Sequence, residues 1–177
     1  HVDSAGKIGI GTESPSELLH LVSSASDKPY ILIENTNADT TGPGIKMHKN
    51  SASPADGDEI GHLTFMADNS AGHTTGFANI TAKSDDVTDG TEDGSLHLMT
   101  RVNDSNAARL SIVSGNVGIG IDVPVATLHV QGGGLIKNSG ADTSFIVEGP
   151  AGYDAKFLLK SDAGGALADW WLSLIQL

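Results

Sequence analysis

Apolar and polar residues alternate along much of this chain with a period of two rather than 3.6. Pro29-Tyr30-Ile31-Leu32-Ile33-Glu34 is a β-branched and aromatic run, bounded by proline and by the turn-rich Asn35-Thr36-Asn37-Ala38-Asp39; it predicts a strand. Residues 59–66 place Ile60, His62, Thr64 and Met66 on one face, and residues 75–82 place Phe77, Asn79 and Thr81 on one side. Residues 95–102 and 108–113 read as two further strands. Turn clusters at 51–58, 68–72 and 85–94 separate these runs. Short strands with a turn signal every 8 to 12 residues or so predict an all-β fold. Gly or Pro interrupts nearly every helical candidate. Ser14-Pro15-Ser16-Glu17 opens at most one short turn, and residues 166–177 are the best remaining helical stretch.

The pattern also repeats. Gly6-Lys7-Ile8-Gly9-Ile10-Gly11-Thr12-Glu13-Ser14-Pro15, followed by Leu19-His20-Leu21, recurs 109 residues later. The second copy is Gly115-Asn116-Val117-Gly118-Ile119-Gly120-Ile121-Asp122-Val123-Pro124, followed by Leu128-His129-Val130. Seven of the sixteen aligned positions are identical, where chance gives about one. Ile31-Leu32-Ile33-Glu34 is echoed by Phe145-Ile146-Val147-Glu148, and His1-Val2 matches His129-Val130 as if it closed a preceding copy. The expected organisation is a first unit at residues 1–114 and a second, incomplete one at 115–177, with a divergent C-terminal end.

Composition makes the expected core thin. Leu, Ile, Val and Phe total 43 of 177 residues, about 24%, just above the roughly 20% below which chains tend to be disordered. Many of the remaining apolar positions are among the 22 glycines, which bury no side chain. Such a chain is expected to cover its apolar faces with a partner, and another copy of itself is the simplest one. A net charge of −12 with ten Lys and Arg disfavours nucleic acid. No run approaches the roughly 20 apolar residues of a membrane span. The absence of cysteine excludes disulfides, thiolate zinc sites and cysteine nucleophiles. With neither an initiator Met nor a signal-like start, the chain reads as a piece of something longer.

Candidate chemistry is sparse. Gly9-Ile10-Gly11 and Gly118-Ile119-Gly120 begin like a dinucleotide fingerprint, but the third glycine is missing and a proline follows four residues on. They read better as a packing device, in which bare backbone lets a neighbouring chain approach. The acidic loop at residues 85–94 fails the EF-hand pattern, because Val87 and Leu96 occupy ligand positions. A calcium site of another type and a solvated hairpin loop are both open readings there. No two of the seven histidines have ligand spacing. In a homotrimer a single inward-facing histidine would become a ring of three, so His20 and His129 are the ones to check against a structural role. No Gly-x-Ser-x-Gly occurs. Trp170-Trp171 reads as a packing or interchain plug.

The segment Gly115-Asn116-Val117-Gly118-Ile119-Gly120, with Pro124 and Leu128-His129-Val130, resembles the recurring segment of tail-fibre proteins of tailed bacteriophages. Those proteins often end in an intramolecular chaperone domain of the endosialidase type. The middle of the chain is similar to the same family through Ser53-Pro54-Ala55-Asp56-Gly57-Asp58-Glu59-Ile60-Gly61, Phe65, Ser70-Ala71-Gly72 and Asp89-Gly90-Thr91-Glu92-Asp93-Gly94-Ser95-Leu96. The likeness spans residues 1–131 and, more faintly, 132–160; it departs from the family pattern at Ile121-Asp122-Val123. It implies a homotrimeric, β-rich fibre segment of a virion appendage that spaces or displays a receptor-binding tip. The implied partners are other copies, tail or baseplate proteins and, through the whole fibre, a bacterial surface receptor. A polysaccharide-degrading tailspike and a non-viral surface filament or adhesin are the alternatives.

The expectation is therefore an all-β, intertwined homotrimeric β-fibre or β-prism without enzymatic activity, cofactor, metal, nucleic-acid partner or membrane insertion. Ile8, Ile10, Leu19, Val117, Ile119 and Leu128 are expected to carry the interchain packing, with Gly9, Gly11, Gly118 and Gly120 permitting it.

Overall fold

Turn residues and alternating runs divide residues 1–132, the part described by the computed structural model, into eight strands. They are β1 (Ile8–Ile10), β2 (Leu19–Leu21), β3 (Asp58–Asp68), β4 (Thr74–Asp86), β5 (Asp93–Val102), β6 (Ser105–Val113), β7 (Asn116–Ile119) and β8 (Leu128–Val130). Among the described residues the fold is all-β. The helical expectation at 166–177, Trp170-Trp171 and the echo at 145–148 lie outside the described residues.

β1 and β2 form a two-stranded parallel sheet, and β3 to β8 form a second sheet in sequence order. The larger sheet is an antiparallel meander up to β7, after which β8 lies parallel to β7. Its tight hairpins follow from local chemistry. Asn103 and Asp104 have φ of 47° and 66°, and Ser114 and Gly115 have 47° and 76°. Two consecutive positive φ values give the turn whose twist matches that of the flanking strands, and Asn, Asp and Gly tolerate it best.

Two expectations about strands need correction. Bulges in the β3–β4 ladder, between Glu59 and Gly61 and between Phe65 and Met66, put Ile60 and Phe77 out of register. His62, Thr64 and Met66 therefore share a face with Thr81, Asn79 and Gly76, but Ile60 and Phe77 do not continue those rows. Residues 29–34 form no strand: the segment pairs with nothing among the described residues, and Tyr30 and Leu32 are 70% and 82% exposed. β-Propensity describes fitness for a pleated, half-covered surface, and here no neighbouring strand supplies that surface. Val2 bridges Ile8 in the antiparallel sense, on the kind of edge that β6 occupies beside β7.

Burial is slight. Among the described residues the buried positions are Ala108, Pro15, Pro124, Gly9 and Gly118, with Thr81, Ser95 and Ser111 the buried polar ones. Local ion pairs and turns supplement this core. Lys49 Nζ lies 2.8 Å from Asp58 Oδ1 and, with the Ala55 amide, holds the Asp58 carboxyl below its ordinary value. The Thr88 amide and hydroxyl do the same for Asp86, and Arg101 does so for Asp104. A carboxyl whose folded pKa is depressed stabilises the fold above its unfolded value, and that stability is lost as pH falls through the folded one. The denaturation midpoint of the wild type should therefore drop more steeply below about pH 4 than that of an Asp58→Asn, Asp86→Asn, Asp104→Asn triple variant. Parallel curves would exclude these three carboxylates as contributors.

Candidate assembly surface

Register assigns each residue of the large sheet to a face, because directly paired residues share one. One row runs across all six strands as Leu63, Ile80, Leu98, Leu110, Ile119 and Val130. The next row on the same face is Gly61, Ala82, Leu96, Ile112, Val117 and Leu128. Between them, on the opposite face, runs a polar row: His62, Thr81, His97, Ser111, Gly118 and His129. Exposure is the reverse of what water alone would select. Ser111 is fully buried and Thr81 is 7% exposed, whereas Leu63, Ile112, Ile119 and Leu128 are 48%, 40%, 45% and 62% exposed.

The polar face holds a connected network. Asp85 Oδ1 accepts the Ser95 hydroxyl at 2.9 Å. The Ser95 oxygen is then free to accept from His97 Nε2 at 3.2 Å, leaving His97 Nδ1 to accept the Ser111 hydroxyl at 3.1 Å. Asp85, Ser95 and His97 border an open groove of about 430 Å³ that Lys83, Met99 and Asp122 also line. Asp85 Oδ2 and Asn79 Oδ1 are buried without partners. The arrangement pairs a serine with a histidine, but Ser111 has no accessible surface from which to attack a substrate. What the network does is satisfy polar groups beneath a half-covered face. His97→Ala leaves the buried Ser111 hydroxyl without its acceptor and should cost about 1–3 kcal/mol of stability; an unchanged urea midpoint would remove it from the account.

Each Gly-Ile-Gly strand runs parallel to its Leu-His-Leu/Val partner in one shared register. Ile8, Gly9 and Ile10 face Leu19, His20 and Leu21; Val117, Gly118 and Ile119 face Leu128, His129 and Val130. The accompanying hydrogen bonds also correspond. Val22 N donates to Ile10 O at 2.8 Å, and Gln131 N donates to Ile119 O at 2.9 Å. His20 Nδ1 accepts the Ser16 amide at 3.2 Å, and His129 Nδ1 accepts the Val125 amide at 3.4 Å. Both histidines thus fasten the turn before their own strand, a role the spacing alone did not reveal. Glycine has an intrachain reason as well. A side chain at Gly118 would lie 2.6 Å from Ile121 O, and one at Gly9 would run into Thr12 O. Gly11 and Gly120 have φ of 80° and 72° and face the backbone carbonyls of Val22 and Gln131.

Val117, Ile119 and Leu128 stand together on the apolar face of the large sheet. Ile8, Ile10 and Leu19 belong to the small sheet, 46%, 58% and 53% exposed. The sequence reading omitted Leu63, Ile80, Leu96, Leu98, Leu110 and Ile112. Their signal was the alternation of leucine or isoleucine with His97, Met99 and Ser111 in neighbouring strands.

The acidic residues around 85–94 are engaged locally. Asp86 accepts the Thr88 amide at 2.8 Å, Glu92 accepts the Gly90 amide at 3.2 Å, and Asp85 takes the Ser95 hydroxyl. Among the described residues no three His, Asp or Glu side chains are grouped to hold a metal ion. No family model and no curated protein matches the chain.

Proposed function

We propose that the chain is a structural segment of a trimeric phage tail fibre, a virion appendage that spaces or displays a receptor-binding tip. One observation carries this reading: two apolar rows running across six strands on one sheet face stand half-open to water. Covering such a face is worth about 25 cal/mol per Å² of apolar area, and other copies of the chain supply an identical face. The buried network on the opposite side keeps that side polar, and the net charge of −12 keeps assembled fibres apart. The Gly-Ile-Gly elements act as spaced structural modules, with Ile8, Ile10, Leu19, Val117, Ile119 and Leu128 contributing to packing between copies. In this reading the segment catalyses nothing, binds no cofactor, and acts through itself, neighbouring tail or baseplate proteins and the receptor reached by the whole fibre.

The reading is tested by immunogold labelling, with antibodies raised against the full chain, of virions of the phage that encodes it. Gold along an extended appendage is expected. Labelling of bacterial cell surfaces instead, with virions bare, would replace the phage reading with that of a non-viral filament.

A further inference from the structure

Residues 29–34 and the outer edge of β3 are each missing the partner that the other could provide. The segment is rich in strand-forming side chains, yet Tyr30, Ile31, Leu32 and Ile33 are 70%, 69%, 82% and 44% exposed. Its backbone groups form no hydrogen bonds with the backbone of the other described residues. β3 spans eleven residues, Asp58–Asp68, and pairs through one edge with β4; its other edge has no strand beside it among the described residues. That open edge carries Leu63, Phe65 and Met66 at 48%, 55% and 59% exposure. A long apolar edge with unpaired amides and carbonyls is a template for an added strand.

We infer that Tyr30-Ile31-Leu32-Ile33-Glu34 of one copy adds as a strand to the open edge of β3 in a second copy. The inference rests on the self-association proposed above and specifies one contact through which it occurs. Alternation fits the acceptor. With Ile31 and Ile33 pointing to the side of Leu63 and Phe65, the apolar face gains one more row, while Tyr30 and Leu32 lie beside His62 and Thr64. Charge favours the Lys28 end and opposes the Glu34 end. Lys28 precedes the donor segment, and both ends of the acceptor are acidic, Asp58 and Glu59 at one and Asp68 at the other. The chain's own copy of the segment is not paired with this edge.

The absence of native cysteine makes the test direct. Two full-length chains, one with a single cysteine from Ile31→Cys, Leu32→Cys or Ile33→Cys and the other with His62→Cys, Leu63→Cys or Thr64→Cys, are co-expressed with different tags and oxidised. A disulfide-linked peptide joining the two chains is expected for at least one pairing. The amides of residues 30–34 in the unmodified assembly should exchange at least about tenfold more slowly than those of an open segment. An assembly of the expected mass with neither crosslink nor protection overturns strand addition and leaves the fibre reading intact. A disulfide formed within one chain, when both cysteines are placed together, overturns the second copy as acceptor. A monomeric wild-type chain removes the self-association on which the inference rests.

Discussion

Leu98→Lys is expected to reduce the assembly to monomers while the isolated chain keeps its fold. Leu98 lies within the six-strand row, with Ile80 and Leu110 directly beside it, and retains 36% exposure. In the isolated chain the lysine stem can lie along those neighbours while the ammonium stays in water. Between copies the same ammonium would be removed from water among the leucines and isoleucines of the two rows, at a cost of several kcal/mol. A loss of about 3 kcal/mol weakens association more than a hundredfold. Sedimentation over a concentration series, beside circular dichroism, reads both effects. Leu98→Met, which keeps apolar volume, should leave the assembly intact. An unchanged mass for Leu98→Lys would place the interface elsewhere.

Gly11→Ala and Gly118→Ala are expected to be strongly destabilising, at about 2–4 kcal/mol each. Gly118 lies in β7, where the added carbon would meet Ile121 O at 2.6 Å, Ile121 Cγ2 at 3.0 Å and Pro124 Cβ at 3.4 Å. The obstruction is backbone, so the loop between β7 and β8 must move and the short β7–β8 ladder must loosen. Gly11 combines a φ of 80° with the Val22 carbonyl in the space the methyl would need. Gly72, with a similar φ of 78° and nothing within 4 Å of an added carbon, is the control. Its alanine variant should lose only the smaller conformational cost, on the order of 1 kcal/mol. Urea midpoints for the three variants check the order; equal losses for Gly11→Ala and Gly72→Ala would mean that conformation, not crowding, sets the effect at Gly11.

The strands of the meander were legible because residues 59–66, 75–82, 95–102 and 108–113 alternate over most of their length and are flanked by Gly, Asn, Asp and Pro. Their ends extended beyond the alternation, since turns such as Asn103-Asp104 occupy only two residues and let pairing run to the tip. Residues 29–34 misled because intrinsic preference was strong while the partner strand is missing from the described chain. Ile60 and Phe77 misled for another reason: a bulge shifts faces without any composition signal, and a single extra residue reverses every side chain beyond it. The candidate surface was half legible. Val117, Ile119 and Leu128 were found through the repeated motif, whereas Leu63, Leu98 and Leu110 needed cross-strand register, which only pairing supplies. His20 and His129 illustrate the converse. Their recurrence was visible, but their common role rests on a ring nitrogen reaching a backbone amide four residues earlier in the chain.

The most direct test of self-association is the solution mass of the full chain by light scattering after gel filtration. About three times 18.2 kDa, in an elongated particle, is the expected result. A compact particle of 18.2 kDa that stays monomeric as concentration rises would contradict it, because the open apolar face would then need no other copy to cover it.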